Sequence, residues 1–326
     1  LYIFKYQLVT NKSANTNYFR KYRYDKLEEL GTLDAYECLI TAYVDSERVK
    51  ATAAAIPCKD HWWVCDSGQS IPAEYLKGAR VFHITEETDG GISKALIESG
   101  YEKVCVDITG FCIPQMLVLF RFLQVNNFKA VDYIYTEPNQ YKENEHTQFS
   151  SGFTEVKQVY GYRGSHNSDM DRDLLIIAAG YDHSRIIDVA NSKKSAKKVL
   201  MFGFPPSSPG MFQENILRVH EAETAVGENC FINMDLNIYA PANDPFSTAQ
   251  ALYEYMKRLK KQQPTNIYFA PLSSKPQALG IALFYIWATK DDLMKEWSII
   301  YPYCKRYMHN TTAGIARIWR YQIEFP

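Results

Sequence analysis

The order of apolar and polar positions divides most of the chain into two kinds of segment. From about residue 78 onward, short apolar runs alternate with longer stretches in which apolar residues recur at helical spacing. The short runs predict buried strands and the longer stretches predict amphipathic helices. The clearest strand patterns are "RVFHIT", "KVCVDI", "DLLIIAAG", "KVLMFGF" and "NIYFAPL". This alternation predicts parallel sheets built of β-α-β units.

The first part of the chain follows a different pattern. The segments "YECLITAYVD" and "VKATAAAI" flank "SER" and predict the two arms of a hairpin, and "HWWVCD" predicts a third short strand. Neighbouring side chains on a strand face opposite sides of its sheet. Trp62 and Trp63 therefore predict either a strand covered on both faces or one tryptophan exposed at a contact.

These patterns predict an α/β fold with Rossmann-like parallel sheets and a small β-rich N-terminal element. The predicted divisions are the N-terminal element over residues 1–77, a first Rossmann-like half over 78–170 and a second over 171–326. The two halves are predicted to be pseudo-repeats, because a Pro-Gln pair opens an apolar helix at Pro114 and again at Pro276. A tyrosine pair follows each helix in the same order, as Tyr135 with Tyr141 and Tyr301 with Tyr307.

The loops that precede the two Pro-Gln helices are the main candidate ligand site. In parallel sheets, ligands bind beyond the carboxyl ends of the strands, and free backbone N–H groups at a helix start attract anions. The second loop carries Ser273, Ser274 and Lys275, and the first carries Thr109 and Gly110 at the matching place. A nucleotide phosphate or ribose fits such groups. The alternative is a pair of ordinary turns with serine as the helix cap.

Two further segments contribute candidate residues. The segment "GYDHSRIID" follows an apolar strand and places Asp182 and Arg185 at a helix start, where Arg185 can reach an anion. Asp182 with His183 is a candidate for proton transfer, and the alternative is that Asp182 only caps the helix. His309 follows the second tyrosine pair and is predicted to lie near the loop at Ser273.

Composition excludes several classes of function. The chain has 326 residues with 46% apolar residues and a net charge of −1, so a phosphate-driven affinity for DNA is not expected. The 7 cysteines include no Cys-x-x-Cys pair and predict free thiols in a cytoplasmic protein, with no metal site. The motifs GxGxxG and GxxxxGK[ST] are absent, so neither a dinucleotide cofactor nor P-loop binding of a nucleotide is expected. No apolar run reaches about 18 residues without a charged residue, so no membrane span is predicted.

The stretch "VDITG", the apolar helix after it and the strand that ends near Tyr135 resemble the CARF and SAVED sensor domains of prokaryotic immunity, as does "LSSKPQALG". The resemblance covers about residues 80–326. It implies a Rossmann-like sensor of cyclic oligonucleotides in a bacterial antiviral defence system. Phe111, Cys112 and Ile113 stand where those families have small and basic residues, so the second half is the better candidate.

Three functions are compatible with these patterns. The first is a sensor of a nucleotide-type ligand that passes its signal to a protein partner or a second copy of the chain. The second is an enzyme on the same scaffold, acting on a nucleotide or a glycosidic bond, for which no catalytic residue is identified. The third is a structural subunit of a larger assembly, favoured by the 24 tyrosines and the tryptophan pair.

Overall fold

The computed structural model describes residues 20–66, 70–76, 78–141, 150–227, 236–259, 263–289, 296–307 and 312–325. The chain divides into two compact units. We call Arg20–Phe149 together with Tyr307–Pro326 the N-terminal unit, and Ser150–Arg306 the C-terminal unit. These bounds differ from the predicted ones, because residues 20–66 belong to the same sheet as the segment that follows them, and the end of the chain returns to it.

The described elements before residue 150 are seven strands and three α-helices. The strands are β1 (Lys21–Tyr24), β2 (Tyr36–Ala42), β3 (Cys58–Val64), β4 (Arg80–Phe82), β5 (Val104–Asp107), β6 (Ala130–Thr136) and β7 (Gln140–Tyr141). The helices are α1 (Glu47–Ala55), α2 (Ile92–Ser99) and α3 (Ile113–Val125). Two short 3₁₀ helices span Leu27–Thr32 and Ala73–Tyr75.

The described elements after residue 150 continue the alternation. The strands are β8 (Ser150–Gln158), β9 (Leu174–Ala178), β10 (Lys197–Gly203), β11 (Ile238–Ala240), β12 (Ile267–Pro271), β13 (Trp297–Tyr307), β14 (Thr312–Ala313) and β15 (Ile318–Glu324). The helices are α4 (His183–Ser192), α5 (Met211–Glu221), α6 (Glu223–Val226), α7 (Pro245–Arg258) and α8 (Lys275–Thr289). The predicted strand "CFINMDLN" lies mostly outside the described residues.

The N-terminal unit contains a 7-stranded sheet in the order β1-β15-β6-β5-β2-β3-β4. The five strands from β6 to β4 are parallel, and β15 and β1 add to them in antiparallel pairing. If the parallel strands are numbered along the chain, their order is third, second, first, fourth, fifth. This is the Rossmann order, in which the direction of winding reverses between the first and fourth strands.

The C-terminal unit repeats this order. Its 6-stranded sheet runs β11-β10-β9-β12-β13-β8, and its first five members are parallel. The switch point, where the winding reverses, lies between β9 and β12 here and between β2 and β5 in the N-terminal unit. The prediction of Rossmann-like parallel sheets is therefore confirmed. The two Pro-Gln helices are α3 and α8, which both follow the fourth parallel strand of their sheet.

Each switch point contains a glycine that no larger residue can replace without a shift of backbone. A Cβ on Gly110, after β5, would lie 2.1 Å from the carbonyl oxygen of Ala42 at the end of β2. A Cβ on Gly180, after β9, would lie 2.0 Å from the carbonyl oxygen of Leu272 just beyond β12. Real Cβ atoms do not come this close to backbone oxygen, so both sites need glycine.

The predicted hairpin near the start of the chain is wrong. The segment after "SER" forms the helix α1, and β2 and β3 pair in parallel through this crossover. Alanine-rich sequence favours a helix, and the hydroxyl oxygen of Ser46 caps it by accepting a hydrogen bond from the N–H of Val49 at 3.3 Å. Trp62 and Trp63 are each 1% exposed, which confirms a strand covered on both faces.

In each unit, apolar side chains buried against its own sheet form the core.

The cysteines at 38, 58, 65, 105, 112 and 304 are free thiols, and burial raises the pKa of Cys105 well above its usual value. Within the described residues, no helix has both the length and the apolar composition needed to cross a bilayer.

Candidate functional site

The candidate site residues lie beyond the carboxyl ends of the parallel strands, which we call the carboxyl edge of each sheet. Thr109 and Gly110 follow β5 in the N-terminal unit. Asp182 and Arg185 follow β9 in the C-terminal unit, and the loop at Ser273 follows β12. Each group thus occupies the position that ligands use in open α/β sheets. His309 lies outside the described residues.

The two serines of the second loop make hydrogen bonds within the protein. The hydroxyl of Ser273 donates to Oε1 of Gln277, and the hydroxyl of Ser274 donates to the carbonyl oxygen of Ala242. Ser274 also caps α8, because its Oγ accepts the N–H of Gln277 at 3.3 Å. Lys275 begins α8 and is partly exposed. The loop therefore forms the capped turn considered above, with Lys275 as its cation.

The first loop is closed more tightly. Thr109 is 3% exposed and its Oγ1 accepts the N–H of Thr136 at 3.0 Å, while its own N–H donates to Oδ1 of Asp107 at 3.0 Å. These bonds tie the end of β5 to the end of β6. With Gly110 held against Ala42, the loop is fixed by its own contacts.

Arg185 is the most buried charged residue of the predicted set. It is 8% exposed, and its Nη1 donates to the hydroxyl oxygen of Tyr301 at 2.5 Å. Its Nε forms an ion pair with Oδ2 of Asp182 at 3.4 Å, and its Nη2 lies 3.7 Å from the sulfur of Cys304. The side chain thus reaches from the first turn of α4 to β13. Asp182 offsets its charge.

The carboxylates around Arg185 influence one another. The pKa of Asp188, on the same helix, is raised by burial and by the negative charge of Asp182, and the guanidinium of Arg185 partly opposes this effect. Asp182 also accepts a hydrogen bond from the hydroxyl of Ser184 at 2.5 Å. Asp182 before α4 and Asp188 within it therefore share the electrostatic influence of one arginine, Arg185.

A second arginine, which sequence reasoning missed, holds the equivalent place in the N-terminal unit. Arg48 lies in the first turn of α1, and its Nη1 donates to the carbonyl oxygen of Thr136 at 2.5 Å. Its Nη2 donates to Oγ1 of Thr312 at 2.8 Å. Its Nε is buried and makes no hydrogen bond within the described part of the chain.

The two arginines share a sequence pattern as well as a position. Asp45-Ser-Glu-Arg48-Val and Asp182-His-Ser-Arg185-Ile both follow the first parallel strand of their sheet. Both arginines reach the fifth parallel strand, at Thr136, which ends β6, and at Tyr301, which lies within β13. The signal Asp-x-x-Arg-aliphatic at the start of a helix could have identified Arg48.

The glutamines of the two Pro-Gln pairs also have matching roles. Gln115 Nε2 donates to Oδ1 of Asp66, which lies just beyond β3, at 2.5 Å. Gln277 Nε2 donates to the carbonyl oxygen of Ala240, at the end of β11, at 3.0 Å. Each glutamine therefore links the helix after the fourth parallel strand to a strand on the other side of the switch point.

Other features of the C-terminal unit lie away from these residues. A cavity of about 290 Å³ opens near the starts of the strands. Its lining includes Asp171, Asp173, Ser195, Lys197 and Leu259 and none of the predicted site residues.

Among the described residues, no group of three histidine, cysteine, aspartate or glutamate side chains is placed to hold a metal ion.

Comparisons with known proteins give no family. No protein-family model matches the chain, and no curated protein matches it significantly. Among solved structures, CobK precorrin-6A reductase is similar at 12% identity and a TM-score of 0.22, over 77% of this chain and 84% of that one. A multidomain structure of a keto acid-selecting NRPS module, with adenylation, ketoreductase and pseudo Asub parts, has 8% identity and a TM-score of 0.22. That match covers 90% of this chain and 36% of the other.

Proposed function

We propose that the protein binds a nucleotide-type ligand at the carboxyl edge of its Rossmann-like sheets and acts as a sensor. The observation that carries this proposal is the pair of arginines, one in the first helix of each unit, which extend over the switch point to the fifth parallel strand. Guanidinium groups suit phosphate because they offer several donors in a fixed plane. Open α/β sheets bind their ligands at the switch point.

The second loop adds a cation to the C-terminal unit. Lys275 is partly exposed at the start of α8, where the helix dipole is positive and favours an anion. Ser273 and Ser274 fix the turn that presents it, through their bonds to Gln277 and Ala242. In this proposal the serines position the loop, and Lys275 contacts the phosphate of the ligand.

The experiment that tests this function is native mass spectrometry of the chain purified from its own host, followed by titration with nucleotides and cyclic oligonucleotides. A bound mass that matches a nucleotide, together with saturable binding and no turnover, supports the sensor. A ligand that is converted during the titration supports the enzyme alternative instead. An apo mass and no binding across the panel contradict the proposal.

A structural subunit of a larger assembly is a second candidate function. Exposed aromatic rings favour it, whereas the tryptophan pair does not. Trp62 and Trp63 are buried inside their own unit and do not support an interface. However, Phe204 is 51% exposed and Tyr239 is 38% exposed, and both pack against Phe212 with ring centroids 5.0 and 6.4 Å from it. Exposed aromatic rings of this kind are enriched at protein–protein contacts. Co-purification of a stoichiometric partner with an empty ligand site would favour this function.

The sensor proposal includes a protein partner or a second copy of the chain, to which the bound state is passed. A role in bacterial antiviral defence is suggested by the resemblance to CARF and SAVED domains and forms part of the same proposal. A cytoplasmic location is suggested by the cysteine pattern and also belongs to it. Loss of phage resistance on deletion of the gene from its host would support the defence role, and unchanged resistance across a phage panel would contradict it.

A further inference from the structure

We propose that Arg48 holds a phosphate-like anion at the N-terminal unit, whereas Asp182 blocks the equivalent place in the C-terminal unit. This inference rests on the proposed function and adds a place for a phosphate group in the N-terminal unit to the one proposed at Lys275. The first half of the chain, which the sequence disfavoured, thereby gains an anion site of its own.

The two arginines differ in the charge of their partners. Arg185 has a carboxylate partner, because Asp182 lies 3.4 Å from its Nε. Arg48 has neutral oxygen partners in the described part of the chain, the carbonyl of Thr136 and the hydroxyl of Thr312. No carboxylate among these partners offsets the positive charge of the partly buried guanidinium. An anion is attracted strongly to such a charge, because the dielectric constant is reduced there.

The two acids of the shared pattern differ in position. Asp45 and Asp182 each lie three residues ahead of their arginine, but Asp182 is the residue that directly precedes α4, whereas Asp45 lies one residue before Ser46, which caps α1. Asp45 is turned outward and pairs with Lys50, with 2.5 Å between Oδ1 and Nζ, and its side chain is 81% exposed. The same sequence pattern therefore gives an ion pair between Asp182 and Arg185 in the C-terminal unit. In the N-terminal unit Asp45 pairs with Lys50 instead of with Arg48.

Two other acids, Glu137 and Asp107, lie at this carboxyl edge. Glu137 follows β6 and is 1% exposed, and its Oε2 is paired with Nε of Arg317 at 3.2 Å. Asp107 ends β5 and accepts the N–H of Thr109. Neither acid accepts a hydrogen bond from Arg48, whose Nε is buried and makes no hydrogen bond among the described residues. That buried N–H is the group we assign to an oxygen of the ligand.

The chain itself provides the comparison that points to an anion. In the C-terminal unit the arginine of this pattern is bound to a carboxylate, which is a planar anion with two oxygens. A phosphate oxygen pair presents similar acceptors to a guanidinium. Asp182 therefore acts as an internal substitute for the anion that Arg48 takes from solution.

The test uses isothermal titration calorimetry of the full chain with inorganic pyrophosphate. We expect one equivalent to bind the wild type at Arg48, because Lys275 is a single cation and holds the bare anion too weakly to be counted. We expect Arg48→Gln to weaken that binding by about tenfold or more, as expected for loss of a charge-assisted hydrogen bond. We expect Asp182→Asn to add a second equivalent, because the amide removes the charge and keeps an acceptor for Ser184. Asp45→Asn is the matched control and leaves the stoichiometry at one.

Several outcomes overturn the assignment. They are an absence of saturable pyrophosphate binding to the wild type, an affinity unchanged by Arg48→Gln, and a stoichiometry that stays at one in a folded Asp182→Asn. If Arg48→Gln fails to fold by circular dichroism, Arg48→Lys keeps the charge without the planar group. Weakened binding by that variant supports the site, and full binding overturns it.

The result can be separated from that of the proposed function. Pyrophosphate binding through Arg48 with no nucleotide bound supports the anion site and contradicts the nucleotide sensor. Nucleotide binding that is insensitive to Arg48→Gln supports the sensor and contradicts the anion site.

Discussion

The carboxylate of Asp173 accepts a hydrogen bond from Nδ2 of Asn266 at 2.7 Å, and this bond joins the starts of β9 and β12. Asp173 is 3% exposed and also accepts from Oγ1 of Thr265 at 2.8 Å and from the hydroxyl of Tyr268 at 3.1 Å. Burial and the charge of Asp173 raise the pKa of Tyr268 above its usual value, so this tyrosine stays a donor. The network lies at the opposite end of the sheet from the candidate site.

We expect Asp173→Ala to lower the free energy of unfolding by about 2–4 kcal/mol, because three buried donors lose their acceptor. Urea denaturation measures the loss. Asp171→Ala is the control, since Asp171 is exposed and two residues away, and it should change stability by less than about 0.5 kcal/mol. Equal effects of the two substitutions would show that the network does not stabilise the sheet.

Gly110→Ala and Gly180→Ala should each destabilise the protein by about 1–3 kcal/mol, because the new methyl group would lie within 2.1 and 2.0 Å of a carbonyl oxygen. The measurement is again the free energy of unfolding. Gly31→Ala serves as the control, since nothing lies within 4 Å of its Cβ position. If either switch-point variant is as stable as the control, the close approach of the strand ends is not as described.

Acid should destabilise the protein partly through His61. Burial lowers its pKa from 6.5 to about 4, and its ring packs 4.2 Å from the ring of Trp63. Above pH 6.5 the imidazole is neutral in both states. Between pH 6.5 and 4 the unfolded chain binds a proton that the folded chain does not, so stability falls as the pH falls, by up to about 3 kcal/mol.

The variant His61→Gln should therefore show a shallower loss of stability over this pH range than the wild type, measured by urea unfolding at several pH values. Burial and the nearby Lys193 also lower the pKa of His166, which should contribute in the same direction. His220→Gln is a suitable control, because that side chain is 64% exposed. An unchanged slope in His61→Gln would mean that this ring is protonated in the folded state.

Lys275→Ala should weaken nucleotide binding by about tenfold, as expected for the loss of one charged donor to phosphate. Fluorescence anisotropy with a labelled nucleotide measures the change. Lys257→Ala removes an exposed lysine from the last turn of α7 and should leave the affinity unchanged. Binding that survives Lys275→Ala intact would remove the second loop from the site.

The sequence predicted most of the fold because the apolar pattern is strong where the strands are buried on both faces. The runs that became β9, β10 and β12 are almost entirely apolar, and parallel strands require this. The error near residue 50 arose where the pattern is weak. The segment "VKATAAAI" carries small residues that suit a helix or a strand, and the parallel pairing of β2 with β3 selects the helix.

The candidate site was less predictable, because its contacts join distant parts of the chain. Arg48 donates a hydrogen bond to Thr312, which lies 264 residues away, and no local sequence pattern predicts that partner. The serines at 273 and 274 were recognised as polar loop residues. Whether their hydroxyls face a ligand or the protein depends on Gln277 and Ala242, which only the folded arrangement brings to them.

The position of β15 has a consequence for the synthesis of the protein. Residues 318–324 lie between β1 and β6 in the sheet, so β1 and β6 cannot pair with β15 until this segment, which follows the C-terminal unit in the sequence, has left the ribosome. The segment Ser150–Arg306 is continuous and emerges earlier. Vectorial synthesis therefore allows the C-terminal unit to complete its sheet before the N-terminal unit does, although most of the N-terminal unit is translated earlier.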